Sequence, residues 1–426
     1  MKRRRWYGLL VLLACLCLLP QAAKPDVSLS VREREPLKQK ALPSAYDNRL
    51  IGRAPKVKNQ GDLGTCWAFA SLTAIESALL PEEAFDFSED HMSISNSFHL
   101  KQDDGGEYSM AMAYLLAWQG PVLEQDDPYG DGSSPAGLSP VKHVQEIQIL
   151  PSKDYDKIKE GVILYGGVQS SLYTALQKDA YQSYCYTGTE EANHDVVIVG
   201  WDDDYPREKF AVPPEKNGAF LCVSSWGEGF GDGGYFYVSY EDRNLGIYNV
   251  VYTGIDPVDR YEHIYQSDLC GWIGQMGYGQ ESAYGANVYR SDSAQSLLAA
   301  GFYATDIHTT YEIYVIDNLK ANTDIQTAFS KRKVLACGSL DQAGYYTIEL
   351  DHPVALKKGE RFAVMVKLTT PGTVHPLAIE YQSDQNPGRV EIGDGEGYIS
   401  YRGTDWESTE EKYHSNLCLK AYTVDR

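Results

Sequence analysis

An α+β first part followed by an all-β second part is the fold class this chain predicts, and three observations carry it. An alanine-rich apolar stretch around residue 70, with two shorter ones after it, has the composition of buried helices. From about residue 160 the pattern changes to short β-branched and aromatic runs separated by Gly, Pro, Asn and Asp. The chain also holds 32 tyrosines, a residue suited to half-buried strands. At 426 residues it exceeds what one hydrophobic core usually serves, so two domains of roughly 150 to 250 residues are expected.

The N-terminus runs Met1, Lys2, Arg3, Arg4, Arg5, then an apolar run from Leu9 to Leu19 broken by Pro20, with Ala22 and Ala23 behind it. This reads as a secretory signal peptide over residues 1–23. The apolar run is well short of the ~20 residues a membrane-spanning helix needs. No later segment comes closer. Lipid attachment at Cys15 is disfavoured because apolar residues continue past it. The mature chain is therefore expected outside the cell, free or held at its surface, with no membrane span. Residues 24–43 are polar and charged and read as a short lead-in or propeptide.

Removing the four basic residues of 1–23 from the total of 38 leaves 34 against 59 acidic ones, a formal charge of −25. Such a surface repels nucleic acid and anionic membranes. Six of the eight cysteines lie beyond the signal peptide: Cys66, Cys185, Cys222, Cys270, Cys337 and Cys418. Their wide spacing, with no C-x-x-C pair, gives neither a disulfide scaffold nor a structural zinc site.

Taken in order, Thr65 to Leu80 reads as a helix buried on most sides, with Trp67, Phe69, Leu72, Ile75 and Leu79 spread around it. Ser88 followed by Glu89 and Asp90 is an N-cap with acidic first-turn residues. Ser109 opens a third helix, stopped by Gly120 and Pro121. Val196–Val199, Ala219–Val223 and Tyr235–Val238 read as strands, the first two buried. A boundary falls at Gly254–Pro257. Beyond it, Ile313–Ile316, Tyr345–Leu350, Phe362–Leu368 and Leu417–Tyr422 suggest a β-sandwich.

The chemistry concentrates in VKNQGDLGTCWAFASLTAIESALL, residues 57–80, where a glycine-bearing loop enters the buried helix at Cys66. A thiolate there is stabilised by the helix N-terminus and by a neighbouring imidazolium. An inert buried cysteine would not explain Gln60, Gly61 and Gly64 ahead of it. These residues resemble the active-site loop of the papain family of cysteine peptidases, with Leu63 where the family usually has a cysteine. The resemblance implies a two-lobe fold, a helical lobe and an antiparallel β-barrel lobe, followed here by the sandwich. It implies Cys66 as nucleophile, with the Gln60 amide joining the Cys66 backbone N–H around the oxyanion.

Asn193, His194 and the run DVVIVGW resemble the family's catalytic-histidine strand. His194 is then the base. Family members usually carry an asparagine before Ser-Trp-Gly, and this chain has Ser224 in that place, ahead of Ser225, Trp226 and Gly227. A hydroxyl can accept from the imidazole but reaches less far. Trp226 is expected to shield the pair and border the substrate. Gly105 and Gly106 resemble the glycine pair that holds substrate backbone as an added strand, and DDPYG at 126–130 follows in family order. Asp195 stands where a small apolar residue often borders a side-chain pocket, and would there favour Arg or Lys; it could equally turn to bond its neighbours.

The implied activity is hydrolysis of peptide bonds in protein or peptide substrates by a secreted endopeptidase over residues 44–255. No metal or organic cofactor is called for, and Asp202, Asp203 and Asp204 read as a solvated loop. Residues 260–426 resemble the lectin-like domain that follows such peptidases in bacteria, through patterns such as AAGFYAT and GYYTIEL. A cell-wall or carbohydrate ligand is the reading that goes with it. A silent papain-fold binding protein, an adhesin acting through the second domain, and an acyltransferase stay open.

Overall fold

The computed structural model describes residues 41–174, 182–320, 323–382, 390–393 and 395–426. The segment read as a signal peptide and nearly all of the one read as a lead-in lie outside the described residues. The alanine-rich stretch forms helix α1 (Cys66–Leu79), and every residue after Cys66 in it is buried, as its all-round apolar character requires. Helix α2 (Glu89–Ile94) is capped by Ser88, whose Oγ accepts from the His91 backbone N–H at 3.0 Å. Helix α3 (Tyr108–Leu116) begins one residue before Ser109 and ends short of Gly120. Helix α4 (Tyr155–Tyr165), which sequence reasoning did not anticipate, is capped by Asp154 accepting from the Lys157 N–H at 3.1 Å.

The strands of the first part are β1 (Ala45–Asp47), β2 (His143–Leu150), β3 (Val168–Leu172), β4 (Ser183–Tyr184), β5 (His194–Asp202), β6 (Ala219–Val223), β7 (Tyr235–Ser239) and β8 (Asn249–Asp256). Strand β5 shows why a near-continuous apolar run was needed. Val197 and Val199 join the core containing Leu72 and Ile75 of α1, whereas Val196 and Ile198 join the core containing Ile158 and Val162 of α4. Both faces of the strand are covered by helices.

The second part contributes β9 (His263–Tyr265), β10 (Gly274–Met276), β11 (Ser282–Arg290), β12 (Gln295–Ala304), β13 (Thr309–Ile316), β14 (Lys333–Leu340), β15 (Ala343–Leu356), β16 (Arg361–Thr369), β17 (Leu377–Tyr381), β18 (Gly397–Ser400), β19 (Glu407–Ser408), β20 (Ser415–Leu417) and β21 (Leu419–Asp425). Six of them form a sheet in the order β14-β13-β16-β11-β18-β19. Its inner face meets β12, β15, β17 and β21 over a core that includes Leu297, Phe302, Ile313, Val364, Val366, Leu377 and Leu419. This is the expected sandwich.

One detail differs from expectation. The strands of the first part form an open sheet among the described residues, not a closed barrel. The order is β4-β7-β6-β5-β3-β8-β2-β15-β12-β21-β9, with β1 on β5, twelve strands in all. The outer edge of β2 is taken by β15 of the second part, Tyr345 opposite Ile147 and Tyr346 opposite Glu146. That edge therefore pairs forward into the next domain. Tyr303, Tyr345, Cys270, Ala378 and Cys418 of the second part lie in the same hydrophobic core as Trp67, Leu72 and Tyr114 of the first.

Candidate active site

Cys66 is the first residue of α1, half-buried, and the loop before it is fastened on three sides. Asn59 bridges Trp226, and the Gln60 N–H donates to the Ser225 carbonyl at 2.8 Å. The Tyr129 hydroxyl donates to the Gln60 carbonyl at 2.9 Å and lies 2.7 Å from Thr65 Oγ1, which gives the DDPYG tyrosine a bracing role. The Gly64 N–H donates to the Gln102 carbonyl at 3.0 Å. A Cβ on Gly64 would sit 2.9 Å from the Gly105 nitrogen, so this approach requires glycine. The Gln60 side chain is fixed at both ends. Its Oε1 accepts from Ser225 Oγ at 2.5 Å and its Nε2 donates one hydrogen to the Leu63 carbonyl at 2.7 Å, which leaves the amide's second hydrogen over.

His194 opens β5, paired with Leu172 of β3. Its Nε2 lies 3.3 Å from Ser224 Oγ, at the long end of hydrogen-bond range, so Ser224 does meet the ring where an asparagine was expected. Trp226 stacks on the imidazole at 4.4 Å between centroids and 20° between planes, and Phe230 abuts the indole edge-on. Trp226 thus covers the ring and does not line the cleft described next.

A cleft of about 380 Å³ brings together Cys66, His194, Asp195 and Gly106. Gly105, with φ +79°, shapes the turn behind it. Gly106 is pinned differently, since a Cβ there would come within 2.4 Å of Trp67 Nε1. Asp195 faces the cleft while bonded to its neighbours. It lines the cleft, and its oxygens accept from Ser171 Oγ at 2.6 Å and Gln169 Nε2 at 3.0 Å. Gln169 is itself held by Ser71 Oγ at 2.9 Å and the Tyr252 hydroxyl at 3.0 Å, so a buried chain of hydrogen bonds runs from α1 to the cleft. Sequence reasoning missed Glu107, Tyr108, Ser171 and Tyr248, which share the lining with Ala192 and Asn193, the two tyrosine rings 6.0 Å apart. Only Glu107 and Tyr108, next to the glycine pair, had a positional clue.

Burial and the backbone act on the Cys66 thiol in opposite directions. Burial pushes the Cys66 thiol up to about 12, and the Asp195 carboxylate acts in the same direction. The backbone N–H groups of Asp195, Trp67 and Cys66 oppose this without outweighing it. Burial also holds His194 down to about 3. In the free site burial thus favours the neutral thiol and the neutral imidazole. No hydrogen bond joins the two among the described residues. Away from the cleft, Asp203 accepts from Lys159 Nζ and from the Tyr240 hydroxyl, both at 2.6 Å, so this member of the aspartate run is engaged within the fold. One grouping of potential metal ligands appears among the described residues, Glu262, His263 and Asp425. It lies on the second part, with His263 Nε2 3.1 Å from Asp425 Oδ1 and the Asp425 N–H donating to Glu262 at 2.6 Å.

Residues 42–255 match the family model of the papain family cysteine proteases, and residues 264–423 match that of the lectin like domain. Among curated proteins, falcipain-2b of Plasmodium falciparum is 25% identical over 207 residues, which are 47% of this chain and 43% of that protein. Pro-cathepsin H of Mus musculus is 28% identical over 220 residues, 48% of this chain and 62% of that one. The chain thus spans about half the length of such relatives. Among solved structures, the clostridial cysteine protease Cwp84 after propeptide cleavage is 28% identical, with a TM-score of 0.81 over 90% of this chain and 100% of that one. A second structure, of the cysteine protease and lectin-like domains of Cwp84, a surface layer associated protein of Clostridium difficile, is 27% identical with a TM-score of 0.78 over 90% of this chain and 89% of that one.

Proposed function

Because this chain belongs to the papain family of cysteine proteases, we propose that its cleft hydrolyses peptide bonds of protein or peptide substrates with Cys66 as nucleophile and His194 as base. The observation that carries this reading is the meeting of a helix-start thiol and a strand-start imidazole in one cleft, with Ser224 3.3 Å from Nε2 of that imidazole. Starting from the neutral pair, the Cys66 proton passes to His194 as Sγ attacks the scissile carbonyl. The Cys66 backbone N–H and the spare hydrogen of the Gln60 amide take the oxyanion. His194 then gives the proton to the leaving amine, and water cleaves the thioester with His194 as base. Gly106 and Asp195 contact the substrate, the latter favouring Arg or Lys at the second side chain on the acyl side.

Residues 44–255 are taken as the peptidase domain and residues 260–426 as a lectin-like domain with a carbohydrate or cell-wall ligand. The signal-like N-terminus, together with the surface-layer association of Cwp84, supports action outside the cell. A fluorogenic peptide assay tests the core of the reading. Cys66→Ala and His194→Ala are expected to lose about 10³-fold or more in kcat/KM while melting as the parent does. Unchanged turnover in either would remove that residue from the mechanism. A folded parent that turns over no peptide would leave the silent binding protein as the reading. In the same assay, peptides with Arg or Leu at the second acyl-side position, on parent and Asp195→Ala, test the specificity. A parent that prefers Leu, unaltered by the substitution, would take Asp195 out of the pocket.

A further inference from the structure

The second domain carries a feature that the comparisons do not describe. A cleft of about 650 Å³, within the range of ligand-binding clefts, opens along one side of the sandwich. It lies where both sheets end. Strand β14 is the edge of the six-stranded sheet, and β15 pairs with β2 only through Ala343–Tyr346, so beyond Tyr346 that flank of β15 has no strand beside it among the described residues. The floor is aliphatic, with Val315, Leu335 and Val354 half-buried. Around it stand Lys320, Lys331 and Lys333, all exposed, with His352 opposite.

The sign of this cleft runs against that of the protein. The chain carries 59 acidic and 38 basic side chains, yet the lining has three lysines against one carboxylate, Asp317. Among the described residues, none of the three ammonium groups is in a salt bridge, whereas Lys367, Lys412 and Lys420 of the same domain each are. A lysine on an edge strand discourages pairing with another sheet, and that accounts for Lys333. It does not account for Lys320 and Lys331, which lie off the strand. Among the described residues no Phe, Tyr or Trp ring lines the cleft, so the broad stacking surface that a neutral sugar ring would use is missing.

We propose that this cleft binds an anionic glycan, its carboxylate or phosphate groups on Lys320, Lys331 and Lys333 and its C–H faces on the aliphatic floor. The proposal rests on the reading of the second domain as glycan-binding and goes further by giving it a place and a charge. Electrostatic recognition of this kind weakens with added salt.

Calorimetric titration of the full-length protein tests it, with four probes of matched length: galacturonate oligomers, glycerol-phosphate oligomers, uncharged dextran and polyglutamate. At least one anionic glycan probe should bind at low salt and weaken at high salt. The triple variant K320A/K331A/K333A should lose about tenfold or more, while K357A/K358A, two lysines outside the lining, should bind as the parent does. Thermal melting of each variant checks that the fold is kept. Galacturonate against glycerol phosphate decides which anionic group is read. Equal binding by parent and triple variant would overturn the placement, and dextran binding as well as the charged glycans would overturn the charge. Binding of polyglutamate alone would point to an acidic protein and overturn the glycan. Absence of binding by every glycan would fail the glycan reading of the domain itself.

Discussion

Ser224 is the residue on which the strength of catalysis turns. Its hydroxyl reaches Nε2 of His194 only at 3.3 Å, so the ring is oriented by one long contact and by the stacked face of Trp226. A carboxamide would reach further. Ser224→Asn should raise kcat/KM by about tenfold to a hundredfold, the general cost of a loosely positioned base. A cavity of about 10 Å³ borders Ser224, so a small adjustment goes with the larger side chain, and a melting curve should accompany the kinetics. A folded variant with level or lower kcat/KM would show that another group already orients the ring. The identities at this scale were legible because each sits in a short motif: Cys66 in GTCWAFA, His194 before VVIVGW, Ser224 before Ser-Trp-Gly. The protonation was not. A helix N-terminus can be read from sequence, whereas the burial that pushes Cys66 up to about 12 comes from the packed fold.

Among the elements, the loop over residues 102–106 shows how the helix and its nucleophile are seated. Gly105 and Gly106 are required for different reasons. Gly105 has φ +79° and ψ −166°, a backbone region that glycine almost alone adopts, with open space where a Cβ would point, so Gly105→Ala costs backbone strain of about 1–3 kcal/mol. Gly106→Ala would drive a methyl into the buried indole of Trp67, an overpacking penalty of about 1–3 kcal/mol. Thermal melting should therefore place both G105A and G106A below the parent, and a G106A that melts as the parent does would contradict the packing account. The glycine pair was visible in sequence, and its contact with Trp67 was not, since nothing local links the two segments. The same limit explains Leu417–Tyr422, read as a single strand. It divides around Cys418 because Leu417 pairs with Ile379 of β17 while Leu419 pairs with Phe302 of β12.

For the molecule as a whole, the two parts are joined by more than a linker. Strand β15 continues the sheet of the first part, and Thr347 Oγ1 donates to Gln145 Oε1 at 3.0 Å across the junction. Trp118 of the first part stacks on His143 at 3.7 Å and leans on Tyr422 of the second. A chain ending at Pro257 would uncover the edge of β2 and part of the core around Trp67 and Tyr114. Residues 44–257 alone should therefore aggregate or melt without a cooperative transition, as followed by circular dichroism. A soluble, cooperatively folding and active fragment would contradict this. The number of domains could be read from length and pattern. Their fusion could not, because pairing between β2 and β15 joins segments far apart in sequence and leaves no local signature.

The central claim for the molecule is that among its six cysteines beyond residue 23 one thiol is built to react with a peptide carbonyl. Cys222, Cys270 and Cys418 are buried, Cys337 is exposed, Cys185 is half-exposed, and Cys66 opens into the cleft beside His194. Treating the reduced protein with a thiol-directed peptidyl epoxide and mapping the adduct by mass spectrometry separates accessibility from built reactivity. The account predicts a single adduct on Cys66 that is absent from His194→Ala, with exposed Cys337 unlabelled. Adducts on Cys337 or Cys185 in preference to Cys66, or labelling of Cys66 that persists undiminished in His194→Ala, would contradict it.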